Sequence, residues 1–85
     1  MTYRVDVLPA AAKSLRRIDP LARTRIEGAI VLLSVDPRPP ASRKLRGRDG
    51  YRVRIGDYLI LYLVEDEVLL VVVVTVGHRR EVYDR

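Results

Sequence analysis

The 85-residue sequence has no cysteine, no tryptophan and no phenylalanine, and one histidine. Without cysteine there is no disulfide framework, no thiolate metal site and no cysteine nucleophile. A single histidine excludes a histidine-rich metal centre and leaves acid–base chemistry few conventional players. Lysine is scarce as well: 14 of the 16 basic residues are arginine, Lys13 and Lys44 being the others. The most apolar run, Val68–Val76, is nine residues, far short of the roughly 18–20 that a membrane helix needs. Met1–Asp6 carries no apolar signal core, so a cytoplasmic location is expected.

The length predicts one domain spanning residues 1–85, with a modest core and no room for a separate cofactor domain. No cofactor and no metal are expected. Glu65, Asp66 and Glu67 fall together on a turn and read as solvated carboxylates rather than a ligand set. Hydrophobic content of 48% with 32% charged residues indicates a globular chain.

The charge is unevenly placed. Residues 38–54 hold seven basic groups against Asp49 alone, a local charge of +6, while the other 68 residues carry nine basic and ten acidic groups. All the excess positive charge therefore lies in one stretch, and a polyanion is the natural partner. Arginine suits phosphate because its planar fork engages two oxygens at once.

Tyr3, Val5 and Val7 alternate with Arg4 and Asp6, as in a half-buried strand. Pro9 opens a helix to about residue 18, with Ala11 or Ala12, Leu15 and Ile18 on its buried stripe. Asp19-Pro20 is a cap followed by a first-turn proline, opening a second helix that ends before Asp36-Pro37. The two helices form an antiparallel hairpin. Residues 37–42 read as an extended connector, and 43–50 as a basic, glycine-containing loop. Two-residue periodicity starts at Tyr51. Gly56-Asp57 has the glycine-first pattern of a type II′ hairpin turn. Tyr58–Val64 and Val68–Val76 complete a meander that Gly77 interrupts, leaving a polar tail. The expected architecture is α+β, in the order β-α-α-β-β-β. An antiparallel sheet carries the helical hairpin on one face.

A Gly56-Asp57 turn sets Ile55 opposite Tyr58, Arg54 opposite Leu59, Val53 opposite Ile60 and Arg52 opposite Leu61. Cross-strand partners share a face, so Arg52, Arg54, Leu59 and Leu61 point away from the helices. Such an apolar bed predicts a binding surface there, or a tail folded across it. His78, Arg79 and Tyr83 on the tail are expected to meet Arg52 and Arg54. Guanidinium groups neutralise phosphate charge, tyrosine stacks on a splayed base, and neutral imidazole accepts a proton near pH 7. The alternative at each position is a solvated face, or a tyrosine that plugs the core.

The element order resembles the RelE/ParE toxins of bacterial toxin–antitoxin pairs. So do Lys44-Leu45-Arg46-Gly47, Tyr51-Arg52-Val53-Arg54-Ile55-Gly56-Asp57-Tyr58, Tyr62, and Val76-Gly77-His78-Arg79-Arg80-Glu81-Val82-Tyr83. The resemblance covers essentially the whole chain, by pattern alone in its N-terminal half. It implies a cytosolic toxin neutralised by a cognate antitoxin. In the RelE-like branch it implies a ribosome-dependent mRNA endonuclease that inhibits translation. The mRNA 2′-hydroxyl attacks the adjacent phosphate and leaves a 2′,3′-cyclic phosphate, without a metal.

The roles so implied are phosphate contact for Arg52, charge stabilisation or base for Arg54, leaving-group assistance for Arg79, and base stacking for Tyr83. Lys44 and Arg46, with Arg43 and Arg48 in the same basic stretch, would bind RNA. Two features depart from the family pattern. Leu59 stands where an arginine is usual, and arginines occupy 52 and 54 where some relatives have lysine. Arginine stays protonated, which makes His78 the candidate base. The alternatives are ParE-like inhibition of DNA gyrase, and a non-enzymatic relative that binds RNA or antitoxin.

Overall fold

The computed structural model describes residues 2–82. Tyr83, expected at the site, lies outside them. The elements are β1 (Arg4–Val7), α1 (Pro9–Arg17), α2 (Pro20–Leu33), β2 (Ser42–Lys44), β3 (Tyr51–Ile55), β4 (Tyr58–Glu65) and β5 (Leu70–His78), with a 3₁₀ turn at Asp66–Val68 before β5.

Each helix starts where a proline can take the first position at no cost in hydrogen bonds. Pro9 opens α1, and Arg16 and Arg17 lie in its last turn, where the helix dipole favours cations. Pro20 opens α2, and the Asp19 side chain accepts the Ala22 N–H at 3.2 Å. Ala11 and Leu15 of α1, and Ile26, Ile30 and Leu33 of α2, are buried. They pack with Val53, Ile60, Tyr62, Val71, Val73 and Val76 in the core between helices and sheet.

The sheet has five strands in the order β1-β5-β4-β3-β2. It is mixed rather than wholly antiparallel, because β1 runs parallel to β5, Val5 beside Val71. The basic stretch also supplies a strand: Ser42–Lys44 pairs antiparallel with Tyr51–Val53. Pro40, which cannot donate to a ladder, stands just before this edge strand. Gly77 does not end the third meander strand; β5 continues through Gly77 to His78 opposite Leu59 and Tyr58. A Cβ at Gly77 would stand 2.7 Å from Val82 Cγ2. The missing side chain thus makes room for the returning chain.

The β3–β4 register is as expected from the two-residue turn, pair for pair from Ile55–Tyr58 to Arg52–Leu61. Gly56 has φ +60°, and Leu69 is the one described non-glycine residue with positive φ, so Asp57 keeps an ordinary φ. That combination is the type II′ signature.

Candidate functional site

The register builds two rows across the sheet face opposite the helices. The first runs Arg43 (β2), Arg52 (β3), Leu61 (β4), Thr75 (β5). The second runs Arg54 (β3), Leu59 (β4), Gly77 (β5). Arginines occupy the β2–β3 side, leucines the middle, and small residues the β5 side. The leucines are not an open patch: Leu59 is 7% exposed and Leu61 4%. Leu45, from the loop after β2, is buried too, and Val82 returns against Gly77, the register partner of Leu59.

Backbone oxygens hold the Arg54 and Arg43 side chains. Arg54 Nε donates to the Gly56 carbonyl at 3.0 Å. Arg43 Nη1 donates to the Ser42 carbonyl at 2.9 Å and the Pro40 carbonyl at 3.1 Å. The Arg79 N–H donates to the Asp57 carbonyl at 2.8 Å, and Arg79 Nε lies 3.8 Å from the Asp57 carboxylate. Arg54 and Arg79 therefore meet at one turn. The ion pair is long and exposed, so it is weak and leaves the guanidinium available to an anion.

His78 is placed elsewhere. It pairs with Tyr58, which shares the helix-side face with Ile55. Its ring meets Tyr58 edge-on, centroids 5.6 Å apart. His78 Nδ1 accepts the Arg80 N–H at 3.2 Å, which leaves the proton of a neutral ring on Nε2. The structure thus brings together Arg43, Arg52, Arg54 and Arg79, and leaves His78 on the opposite face. There it lines a cleft of about 540 Å³ with Ser14, Arg17, Tyr58 and Glu81.

Lys44 pairs with Tyr51 and is exposed. Arg46 and Arg48 are exposed on the loop that joins β2 to β3. That loop closes through Leu45 N–H to the Gly50 carbonyl at 2.9 Å. A Cβ at Gly50, where φ is +117°, would stand 2.9 Å from the Tyr62 carbonyl. The loop lies on β4 because residue 50 is glycine.

One cluster was not legible in the sequence. Arg38 Nη1 and Nη2 donate to the Asp66 carboxylate at 3.2 and 2.7 Å. Arg38 Nε donates to Tyr51 Oη at 2.9 Å, and Tyr3 Oη donates to Asp66 at 2.7 Å. Arg38, followed by Tyr3, holds the Asp66 carboxyl below the usual carboxylate range. Hydrogen bonds to Asp66 and Tyr51 raise the Arg38 guanidinium pKa further. The bond to Asp66 raises that of Tyr3. Tyr62 is pushed up chiefly by burial and donates to the Pro37 carbonyl at 2.8 Å. Asp66 is therefore exposed, as expected, and is also the hydrogen-bonded partner of Arg38 and Tyr3, so Arg38 is paired with a carboxylate outside residues 38–54. Only a contact map would have joined the connector to the β4–β5 turn. Among the described residues, no three His, Cys, Asp or Glu side chains are grouped to hold a metal, and no helix is long and apolar enough to cross a membrane.

Two helices on one side of a mixed sheet, with a row of arginines on the other, define a class of small α+β proteins. Known proteins resemble this chain in sequence and in fold. A profile of the family described as "ParE toxin of type II toxin-antitoxin system, parDE" matches residues 5–83. Toxin RelG of Mycobacterium tuberculosis is 33% identical over 89 residues, covering 100% of both chains. The mRNA interferase toxin RelE of Escherichia coli K12 is 34% identical over 88 residues, covering 98% of this chain and 92% of the relative. Among solved structures, the RelBE2 toxin–antitoxin complex of M. tuberculosis superposes with a TM-score of 0.83 at 27% identity, covering 93% of each chain. The archaeal RelE–RelB complex of Pyrococcus horikoshii gives 0.84 at 27% identity, covering 96% of this chain and 100% of that one. This chain belongs to the RelE/ParE toxin family of type II toxin–antitoxin systems.

Proposed function

We propose that the protein is a toxin that cuts mRNA on the ribosome and is held inactive by a cognate antitoxin. The observation that carries this reading is the meeting of Arg43, Arg52, Arg54 and Arg79 on one sheet face and the turn at its end. Relatives at 33–34% identity named as toxin RelG and mRNA interferase RelE support it, as do solved relatives in complex with RelB antitoxins. The site works in the cytoplasm, where ribosomes are.

Arg52 contacts the scissile phosphate. Arg54 stabilises the charge that develops as the mRNA 2′-oxygen attacks phosphorus. The P–O5′ bond breaks, and Arg79 stabilises the departing 5′-oxygen, which takes up a proton. The 2′-hydroxyl loses its proton to solvent or to ribosomal RNA, and the upstream fragment retains a 2′,3′-cyclic phosphate. Preorganised guanidinium groups act on the transition-state charge without a conventional base. Tyr83 stacks on the splayed base beside the cut. Lys44, Arg46 and Arg48 hold ribosomal RNA. His78, on the helix side, orders the tail through the Arg80 N–H.

A second reading, inhibition of DNA gyrase, is favoured by the name of the matched family, which is that of ParE. Primer extension on an mRNA translated in vitro separates the two. Breaks that need both ribosomes and this protein are expected. Intact mRNA together with DNA damage in cells establishes the gyrase reading, and intact mRNA with neither leaves a non-enzymatic RNA- or antitoxin-binding relative.

A further inference from the structure

We propose that the slot beside the arginine row is a nucleobase subsite that takes an unstacked cytosine, with Asp49 reading its amino group. This rests on the assignment of the arginine row to RNA. The slot has a volume of about 150 Å³ and is lined by Leu45, Leu61, Leu63, Val74 and Thr75, with Arg48 and Asp49 at its rim.

Two backbone features form it. The register slips between Leu61–Thr75 and Tyr62–Val73, so Val74 is an unpaired bulge residue; bulges bend a strand and re-aim its side chains. Across from it, Gly50 lets the 45–50 loop approach to where a Cβ would stand 2.9 Å from the Tyr62 carbonyl. Leu45 thereby becomes one wall and Asp49 part of the rim.

Position and size then name the occupant. Leu61 and Thr75 continue the row that begins with Arg43 and Arg52. One strand spacing, roughly 4.8 Å, separates neighbours in that row. A phosphate held by Arg43 and Arg52 therefore lies close enough to Leu61 for its own base to reach the slot. In other proteins an apolar cavity of about 150 Å³ holds one six-membered aromatic ring, so the slot is pyrimidine-sized. A carboxylate only accepts hydrogen bonds. Cytosine offers N4–H₂ to it, whereas uracil offers a carbonyl oxygen at that position and is repelled. The base comes from mRNA or from ribosomal RNA, and the test separates these sources.

The test has two arms. In the first, uncleavable 2′-O-methyl ApC and ApU are titrated into the protein, and the methyl resonances of Leu45, Leu61 and Val74 are followed by NMR. These methyls are expected to shift with ApC, which binds about tenfold tighter than ApU, in line with the strength of hydrogen bonds to a charged group. In Asp49→Asn, whose amide both donates and accepts, the two ligands bind alike. Unmoved methyls, or equal binding by wild type, overturn the subsite. In the second arm, cleavage is mapped on ribosomes programmed with codons that differ only in C or U. A codon preference lost in Asp49→Asn places the base in mRNA. An equal loss at every codon places it in ribosomal RNA. Unchanged cleavage at every codon by Asp49→Asn removes the slot from the reaction. Absence of all cleavage by wild type overturns the endonuclease reading, while the dinucleotide arm still decides the slot.

Discussion

Arg54 and Arg79 are tied to successive residues of one turn: Arg54 Nε donates to the Gly56 carbonyl at 3.0 Å, and the Arg79 N–H to the Asp57 carbonyl at 2.8 Å. A two-residue turn is the shortest link between two strands, so the two guanidinium groups share a rigid base although far apart in the sequence. Both side chains are exposed, so their replacement costs little stability. Alanine at either position is expected to lower ribosome-dependent cleavage about 10²–10³-fold, as for loss of one donor to a transition-state oxyanion. The unfolding free energy should stay within about 0.5 kcal/mol of wild type. Primer extension and urea melts check this, and full cleavage by both variants removes the pair from the site.

The contact between Gly77 and Val82 sets where the tail goes. A methyl at residue 77 would stand 2.7 Å from Val82 Cγ2, closer than packed carbon atoms approach. Gly77→Ala is expected to destabilise by about 1–3 kcal/mol through overpacking and to lower cleavage by displacing the segment that follows His78. Adding Val82→Ala removes the opposing methyl and should restore most of both. A double variant no better than Gly77→Ala assigns the loss to the backbone of β5 instead.

The acid limb of stability belongs in part to Asp66. Arg38 and Tyr3 depress its folded pKa below that of the unfolded carboxyl. Its stabilisation is then fully present above the unfolded value, near 3.9, and is lost as pH falls through the lower folded value. Asp66→Asn should melt below wild type by a constant margin between about pH 5 and 8, a margin that shrinks below about pH 4. At the alkaline end the sign reverses. Tyr3 has a raised folded pKa, so its contribution holds below the ordinary tyrosine value and disappears as pH rises through the higher one. Thermal melts of both proteins from pH 2 to 11 check both limbs.

Local rules account for what was readable in advance. Prolines at residues 9 and 20 mark the helix starts, and glycine-first turn chemistry sets the Arg52–Leu61 and Arg54–Leu59 pairs, because both act over a few residues. The misread parts depend on distant contacts. Ser42–Lys44 has the composition of a loop and becomes a strand because β3 offers it an edge. Gly77 reads as a breaker and is instead a strand residue whose missing side chain admits Val82. Proximity along the tail groups His78 with the arginines in the sequence. One more residue of strand, Gly77 to His78, turns it to the other face, because side chains alternate with a period of two. The Arg38–Asp66 pair has no local signature at all.

Leu59 is the sharpest departure from the pattern that the resemblance to this family implies, and its surroundings determine the outcome of placing an arginine there. The usual arginine would stand directly opposite Arg54 and beside Gly77, at a position where leucine is 7% exposed. Like charges facing each other across strands are unfavourable, and burying a guanidinium at this position costs its hydration. Leu59→Arg is therefore expected to destabilise the fold by roughly 1–3 kcal/mol and to leave cleavage no faster than wild type. Leu59 is buried directly opposite Arg54 on the strand that leaves the turn, so the expected trade is one cation lost for a firmer platform under two others. Urea melts alongside primer extension test the trade. A variant of wild-type stability that cleaves faster would show that the platform tolerates the charge and that the missing arginine limits this toxin.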